Sequence, residues 1–316
     1  MNVLILSRRS YFYSTARLKA AAEERGHTAT VTDPLSISLS IDEGRPMAHN
    51  GGVDLSQIDV VIPRIGLFAI EFGVAVVKQF QMMGIPVVNR SLSIMRARDK
   101  LRCNQILTRK NIEVPRTVMT RNPADLKASV ERVGGLPVIL KFLQGAQGVG
   151  VILADTFRSA ESTLDAFWSM NQNLMIQEFV AEAEGKDLRV IVVGGRVVAV
   201  MKRKARDGEF RSNIHRGGWA ELADVADEIL ELAVRAADTI GLDVAGVDIL
   251  ESARGPLTLE INASPGLEAI EKVTDKDVAG EIIRFAETRV ARRRERISER
   301  LEKSPPGLPL AEGAHR

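Results

Sequence analysis

The stretch VAGVDILESARGPLTLEINASPG (residues 244–266) contains two runs of strand-forming residues separated by the short segment SARGP. Runs of this kind, bounded by Gly, Pro and Ser, predict an antiparallel β-hairpin. Because successive strand side chains alternate between faces, Glu260 and Asn262 share one face. Closing the hairpin through SARGP places Asp248 directly across from Glu260, and the Cβ atoms of such pairs lie roughly 4.5–5.5 Å apart. The sequence therefore predicts two facing carboxylates on one side of the hairpin.

These acidic side chains form a candidate metal site. Two facing carboxylates repel each other and require a positive counter-charge. Carboxylate and amide oxygens suit Mg²⁺ or Mn²⁺ and disfavour zinc. Acidic strand positions more often lie on a solvated face, which is the alternative interpretation. The amide two residues after Glu260 and the abrupt Ser-Pro-Gly turn favour a metal, with Asp248, Glu260 and Asn262 as its ligands.

A glycine-rich segment, KFLQGAQGVGV (residues 141–151), joins two further strand-like runs. Gly145, Gly148 and Gly150 allow backbone amides to approach an anion closely. The segment is not a P-loop, because no Gly-Lys-Ser/Thr follows, and the strand that follows it excludes a dinucleotide-binding fingerprint. With Lys141 just before it, the segment is typical of a flap over phosphates. An ordinary mobile hairpin explains this stretch equally well when it is taken alone.

Other polar residues give weaker signals. Lys100, in RARDKLR, is either a phosphate contact or one charge on a solvated helix. Gln177 and Glu178 end a buried strand and Asp187 follows them, but exposed acids are common at strand ends. The long polar loop RDGEFRSNIHRGGW (residues 206–219) is either a lid over a site or a surface excursion.

Composition limits the classes of protein that the chain can belong to. Its 316 residues suffice for roughly two domains, and its 43 Lys and Arg nearly balance its 41 Asp and Glu. Net charge therefore gives no argument for nucleic acid, and only 14 aromatic residues are available for stacking on bases. The single cysteine, Cys103, suits a reducing compartment. No apolar run approaches the ~20 residues of a membrane-spanning helix, so we expect a cytoplasmic protein that binds neither membrane nor nucleic acid.

The order of predicted elements indicates an open α/β sheet followed by antiparallel hairpins. In the first 90 residues, strands alternate with helices, which is typical of a parallel sheet. Ser14 is the expected N-cap of the first helix and Gly26 its C-terminal stop. Two β-branched runs joined by Gly194 and Gly195 predict a tight hairpin. We divide the chain into an N-terminal α/β domain (1–90), a helical connection (91–115), a central subdomain with the flap (116–180), a C-terminal subdomain with the metal site (181–303) and a disordered tail (304–316).

Taken together, these motifs resemble the ATP-grasp family. DKLR, KFLQGAQGVGV, IQEFV, VAGVDIL and LEINASPGLE occur in that family's order. FRSNIHRGG and ASPGLEAIEK narrow the resemblance to the RimK group, the ribosomal protein modification enzymes, and the resemblance covers nearly the whole chain. It implies an α/β fold, α+β in the catalytic part, with three α/β domains and ATP between two antiparallel sheets.

The resemblance also implies roles for individual residues. The ATP phosphates would be held by Lys100 and Lys141, under the turn that contains Gly145 and Gly148. The rest of the nucleotide would be contacted by Gln177, Glu178, Phe179, Val180, Asp187, Arg211, Ser212 and Asn213. Two divalent metals, Mg²⁺ or Mn²⁺, would be bound by Asp248, Glu260 and Asn262. Acidic substrates would be guided by Arg64, Arg203 and Arg216, the last two acting with Arg211 as catalytic residues.

The implied reaction is an ATP-dependent ligation that adds L-glutamate to the C-terminus of a ribosomal small-subunit protein. It would proceed through an acylphosphate, release ADP and phosphate, and extend to poly-glutamate. The resemblance also implies a homo-oligomer. Two alternatives stay open: a glutamate or amino acid ligase with a small-molecule or carrier-protein acceptor, and a non-catalytic nucleotide sensor. The presence of Lys141, Asp248, Glu260 and Asn262 together argues against the sensor.

Overall fold

The computed structural model describes residues 1–143, 150–183, 185–212 and 217–303, with the backbone alone for Leu67 and residues 300–303. The predicted tail, residues 304–316, lies outside this part. The strands are β1 (Asn2–Leu6), β2 (Thr28–Thr32), β3 (Ile37–Asp42), β4 (Arg45–Asn50), β5 (Val53–Asp54), β6 (Val60–Pro63), β7 (Thr117–Val118), β8 (Val138–Phe142), β9 (Val151–Ala154), β10 (Leu174–Glu178), β11 (Lys186–Val193), β12 (Arg196–Lys204), β13 (Trp219–Leu222), β14 (Val244–Ser252) and β15 (Gly255–Asn262). The α-helices are α1 (Tyr13–Glu24), α2 (Ile70–Met82), α3 (Ser91–Arg98), α4 (Lys100–Thr108), α5 (Leu126–Arg132), α6 (Phe157–Ser169), α7 (Asp227–Ile240), α8 (Glu268–Thr274) and α9 (Val278–Lys303).

The chain forms two compact units, and it passes between them four times. The first unit contains Met1–Met95, Gly241–Val244 and the residues from Ala263 onward. The second contains Arg96–Ile240 and Ala245–Asn262. The candidate metal ligands therefore belong to the second unit, and the SPG turn that follows them belongs to the first. The finer division into five segments stays a prediction.

The first unit contains two small sheets. β1 pairs in parallel with β2 and β6, which agrees with the parallel sheet predicted for the first 90 residues. β3, β4 and β5 form a separate antiparallel sheet that the sequence analysis missed. The strict alternation of apolar and polar residues in ISLSID (β3) is the signal that could have revealed it. The core packs Leu4 and Leu6 of β1 against Val76 and Phe80 of α2.

The N-cap predicted for the first helix is wrong. α1 has Phe12 at its N-cap position, with no side-chain cap, and Ser14 lies in the first turn. The Ser14 hydroxyl instead accepts a hydrogen bond from the Leu267 backbone N–H at 3.0 Å. Gly26, with φ of +76°, follows the helix as expected, since glycine adopts positive φ without steric cost. Within the described residues, no helix combines the length and the apolar character needed to cross a bilayer.

The second unit contains the strands that carry the candidate site. β7, β10, β8 and β9 form a four-stranded antiparallel sheet, and its core packs Leu140 of β8 and Ile176 of β10 against Leu164 of α6. A five-stranded sheet has the order β13-β12-β11-β14-β15. Gly194 and Gly195 have φ of +58° and +77°, so the predicted Gly-Gly hairpin between β11 and β12 is confirmed. The second unit thus supplies two adjacent hairpins with inward-facing polar side chains.

Candidate functional site

The predicted pairing of the two carboxylates is confirmed by the register of β14 and β15. Asp248 pairs with Glu260, and Gly246 pairs with Asn262. The loop is shorter than SARGP, because Ser252 already pairs with Gly255. The register then shifts between Asp248 and Ile249, so that β15 carries one extra residue, Leu259, as a β-bulge. A five-residue loop and a two-residue loop with a bulge give the same pairing at Asp248.

The two facing carboxylates have different environments. The Glu260 side chain is 33% exposed, whereas that of Asp248 is 5% exposed. Arg189 donates to Asp248 through Nε at 2.7 Å and Nη2 at 2.6 Å, and Arg203 Nη2 lies 2.9 Å from Asp248 Oδ2. Burial favours the neutral acid, but the two guanidinium groups outweigh it and hold the pKa of Asp248 below its usual value. Asp248 is therefore ionised whether or not a metal is bound.

Arg203 extends these contacts into a chain of buried polar groups. Arg203 Nε and Nη2 each donate to Asp187 at 2.6 Å, and the Ser212 hydroxyl donates to the same carboxylate. Burial lowers the pKa of Arg203, but the carboxylates of Asp248 and Asp187 raise it by a larger amount. The pKa of Arg203 therefore lies above its usual value. The chain Ser212–Asp187–Arg203–Asp248–Arg189 crosses β11, β12 and β14. Both Arg203 and Asp187 thus have protein partners, and their predicted substrate and ribose contacts stay predictions.

Arg189 is the functional candidate that the sequence analysis missed. It lies two residues after Asp187 on β11, so the two side chains share a face of the strand. The sequence KDLRV therefore predicts that Asp187 and Arg189 lie on one face of a strand. It does not predict that Asp248 is the partner of Arg189, because Asp248 lies on a strand nearly 60 residues further along the chain.

Two lysines lie near Glu260. Lys100 Nζ is 3.6 Å from Glu260 Oε1, and its backbone N–H donates to Leu143 O at 3.3 Å. Lys141 of β8 donates from Nζ to Gln177 Oε1 at 2.6 Å. Burial lowers the pKa of Lys141 to about 8, and the positive charge of Lys100 lowers it slightly as well. Glu260 and other carboxylates act in the opposite direction but do not outweigh burial. The structure therefore brings Lys100, Lys141, Gln177 and Glu260 into one region of the second unit.

Residues 177–180, which are predicted to contact adenine, are fixed in place by contacts of their side chains with the rest of the second unit. Gln177 donates to Thr117 Oγ1 at 2.9 Å, in addition to its contact with Lys141. The Glu178 carboxylate accepts the Arg116 backbone N–H at 3.0 Å and pairs with Arg254 at 2.6 Å. Phe179 packs edge-on against the Phe210 ring, and Val180 is buried in a cluster with Leu257. These contacts fix the segment, and its contact with adenine stays a prediction.

The flap is described only at its two ends, because Gly145 and Gly148 lie outside the described residues. Phe142 N–H donates to Gly150 O at 3.1 Å, which closes the β8–β9 pair. Gly150 has φ of +73°, and a Cβ there would overlap the Phe142 ring, so the position requires glycine. Arg211 donates through Nη1 to Val151 O at 3.2 Å and pairs with Glu209. Asn213 and Arg216 also lie outside the described residues.

Arg64 belongs to the first unit. Its Nη2 donates to Pro265 O at 2.8 Å, within the SPG turn, and burial lowers its pKa to about 10. The guanidinium remains charged at neutral pH and supports the turn. Its predicted contact with a substrate carboxylate stays a prediction.

The donor set fits a hard cation that is bound together with a substrate. Within the described ranges, no three His, Cys, Asp or Glu residues converge to enclose a metal by themselves. Asp248 and Glu260 supply carboxylates, and Asn262 lies next to them in the register. A carboxylate has about four acceptor positions, and the arginines use three of those on Asp248. Mg²⁺ commonly binds through one or two carboxylates plus substrate phosphates, which matches this arrangement.

The fold is that of the ATP-grasp proteins. The ATP-grasp ligase PsnB, solved with a phosphomimetic variant of its minimal precursor, Mg and ADP, superposes with a TM-score of 0.72 at 20% identity, covering 92% of this chain and 98% of that one. The RimK domain protein ATP-grasp from Sphaerobacter thermophilus DSM 20745 superposes with a TM-score of 0.70 at 22% identity, covering 90% and 99%. The predicted fold class is therefore confirmed.

The chain belongs to the RimK-like ATP-grasp family. It matches the RimK PreATP-grasp domain over residues 1–94 and the RimK-like ATP-grasp domain over residues 97–286. The "Probable alpha-L-glutamate ligase" of Aliivibrio fischeri (strain MJ11) is 50% identical over 294 residues, which cover 93% of this chain and 98% of that relative. The "Probable alpha-L-glutamate ligase 1" of Shewanella frigidimarina (strain NCIMB 400) is 50% identical over 290 residues, covering 92% and 96%. The predicted family and the predicted enzyme class, an ATP-dependent ligase, are confirmed.

Proposed function

We propose that the protein is an ATP-dependent glutamate ligase that extends the C-terminus of a ribosomal small-subunit protein, including by poly-glutamate chains. The observation that carries this proposal is the Asp248–Glu260 pair with two lysines beside it. The names of the relatives at 50% identity support glutamate as the amino acid. The proposal includes a cytoplasmic homo-oligomer, and the buried, unpaired Cys103 is compatible with a reducing compartment.

The proposed roles follow from charge and geometry. Lys100 and Lys141 would neutralise the phosphates of ATP, while Asp248, Glu260 and Asn262 would hold Mg²⁺ or Mn²⁺, with two ions per subunit. When bound, such a cation polarises phosphoryl oxygens and neutralises charge that develops on them. Phosphoryl transfer depends on positioning and charge neutralisation more than on covalent help from the protein.

The proposed reaction has two steps. A substrate carboxylate would first accept the terminal phosphoryl group to give an acylphosphate and ADP. An amine would then attack the acyl carbon and displace phosphate. The flap that ends at Gly150 would limit access of water to the acylphosphate, which water would otherwise hydrolyse. The acidic substrates also need basic residues, for which Arg203, Arg211 and Arg216 of the second unit, and Arg64 of the first, remain the candidates.

Mass spectrometry of a single assay tests the proposal. Purified protein with ATP, Mg²⁺, L-glutamate and the ribosomal acceptor should release ADP and give acceptor masses that differ by one glutamyl unit. A parallel reaction should replace the acceptor with small amines or a carrier protein. ADP release in that reaction alone would move the assignment to a small-molecule or carrier-protein ligase. Nucleotide binding without ADP release under every acceptor would contradict a ligase and favour a nucleotide sensor.

The lowered pKa of Lys141 predicts a pH-dependent affinity for nucleotide. In the free protein the ammonium is charged below about pH 8 and loses its proton above it, whereas an ordinary lysine stays charged to about 10.5. The affinity for a non-hydrolysable ATP analogue should therefore be constant from pH 6.5 to 8 and fall above it, by at most about tenfold per pH unit. Calorimetric titrations across this range measure the effect. The Lys141→Met variant should bind the analogue more weakly, with an affinity that does not change with pH. If the affinities of wild type and variant fell in parallel above about pH 8, the proposed role of Lys141 would be wrong.

A further inference from the structure

Arg98 has a guanidinium edge that is enclosed but has no hydrogen-bond partner in the part of the chain that the structure describes. It is the last residue of α3, and its side chain as a whole is only partly buried. Its Nε and Nη2 are nevertheless shielded from solvent, and neither has a hydrogen-bond partner among the residues that the structure describes. A guanidinium stays charged and acts only as a donor. Enclosing its donors unpaired costs free energy that the other buried arginines avoid.

The comparison with Arg189 and Arg203 shows what this edge can do. Both of these arginines use the same two atoms, Nε and Nη2, to hold a carboxylate at 2.6–2.7 Å. These two N–H groups point in the same direction and form a fork that matches two oxygens of a carboxylate or a phosphate. The Nε–Nη2 edge of Arg98 therefore has two donors in the arrangement that matches an oxyanion, and neither has a partner among the described residues.

The position of Arg98 identifies the region that this edge belongs to. Asp99 caps α4 by accepting the Arg102 N–H at 3.0 Å, which fixes the junction between α3 and α4. Lys100 N–H donates to Leu143 O, so the junction lies at the end of β8, where the glycine-rich segment begins. Lys100 Nζ is 3.6 Å from Glu260. Burial lowers the pKa of Arg98, and the negative charge of Glu260 partly opposes this lowering.

We propose that Arg98 binds the terminal phosphoryl group of the nucleotide through Nε and Nη2, as a third cation beside Lys100 and Lys141. This inference rests on the proposed function, because it requires a nucleotide whose phosphates reach the region of Glu260. A terminal phosphoryl group brings three oxygens with negative charge, enough for a cation at Glu260 and for the fork of Arg98. The cost of the unpaired donors in the free protein is then recovered when the nucleotide binds.

Binding measurements on the intact protein test this proposal without relying on turnover. Arg98→Met removes the charge and the fork but keeps a long side chain, and Arg98→Lys keeps the charge without the fork. Arg102→Met is the matched control, because Arg102 is exposed and lies four residues further along the same junction. Each variant is titrated calorimetrically with AMPPNP and with ADP, both with Mg²⁺, and its thermal midpoint is measured without nucleotide.

We expect Arg98→Met to weaken AMPPNP binding by roughly 10- to 100-fold, the range for hydrogen bonds to charged groups, and to change ADP binding by less than about twofold. The affinity of Arg98→Lys for AMPPNP should lie between those of Arg98→Met and wild type, and the affinity of Arg102→Met should equal that of wild type. The midpoint of free Arg98→Met should be equal to or above that of wild type, because an unpaired buried charge has been removed.

Three results would overturn the proposal. An equal loss of AMPPNP and ADP affinity would indicate a general effect on the nucleotide site. Unchanged nucleotide affinity with a weaker calorimetric affinity for glutamate would assign the edge to the carboxylate of the amino acid. Unchanged affinity with a lower thermal midpoint would show a structural role. Failure of the wild-type protein to bind either nucleotide would instead refute the proposed function, so the two failures are distinguishable.

Discussion

Replacing Glu260 with alanine is expected to reduce ADP release and ligation by at least about 100-fold while leaving the fold intact. The substitution removes the carboxylate that faces Asp248 and lies 3.6 Å from Lys100. Without it, the proposed cation loses a ligand and the two lysines lose their nearest counter-charge. The fold should survive because the side chain is one-third exposed and its ion pair with Lys100 is long. A partly exposed pair at this distance is expected to contribute about 1 kcal/mol or less.

The matched control for this prediction lies on the same hairpin. Glu251 on β14 pairs with Lys202 at 2.7 Å, and its side chain is 53% exposed. Glu251→Ala should therefore keep both the wild-type rate and the wild-type midpoint in urea. If Glu260→Ala released ADP at a rate close to wild type in Mg²⁺, the assignment of Glu260 as a metal ligand would be wrong. Loss of activity together with a large drop in stability would indicate a structural role.

The sequence predicts the strands of the candidate site better than it predicts their pairing. Gly194 and Gly195 have one suitable turn geometry, so the β11–β12 hairpin was readable. The residues that face each other across this hairpin could not be predicted, because the register shifts between Ile191 and Val192. Counting back from the turn without this shift pairs Asp187 with Lys202, whereas in the structure Asp187 pairs with Arg203. One extra residue thus decides which basic side chain reaches the buried carboxylate.

The β14–β15 hairpin depends on a bulge in the same way. Uninterrupted pairing from Ser252 and Gly255 would place Leu259 across from Asp248 and turn Glu260 to the other face. The prediction of facing acids was right because a longer assumed loop compensates for the missing bulge. Bulges are common next to active sites, and no residue in LTLEIN marks one. The partner of Arg189 was also unreadable, since it depends on the order of strands in the sheet.

Replacing Asp248 with alanine is expected to lower the free energy of unfolding by about 3–5 kcal/mol, the range for breaking a buried ion pair by removing one partner. The cause is that Arg189 and Arg203 keep their charges inside the second unit after three donor contacts to Asp248 are lost. Urea unfolding in EDTA without nucleotide measures the change, so that loss of a bound ligand cannot contribute. Glu221→Ala is the control in the same sheet, because the Glu221 side chain is 44% exposed and its pair with Lys204 at 2.6 Å should contribute less than about 1 kcal/mol.

The pH dependence of this difference separates the ion pairs from simple loss of packing. Because the arginines hold the pKa of Asp248 below its usual value of 3.8, its stabilising effect is fully present above that value and is lost as pH falls through the lower folded-state pKa. The gap in unfolding free energy between wild type and Asp248→Ala should therefore be constant from pH 7 to about 5 and shrink only in stronger acid. A gap that persists unchanged at pH 3 and below would mean that Asp248 stabilises the sheet by filling space. A gap below about 1 kcal/mol at pH 7 would show that solvent or Asp187 compensates the charges of the two arginines, and that Asp248 contributes little to the stability of the sheet.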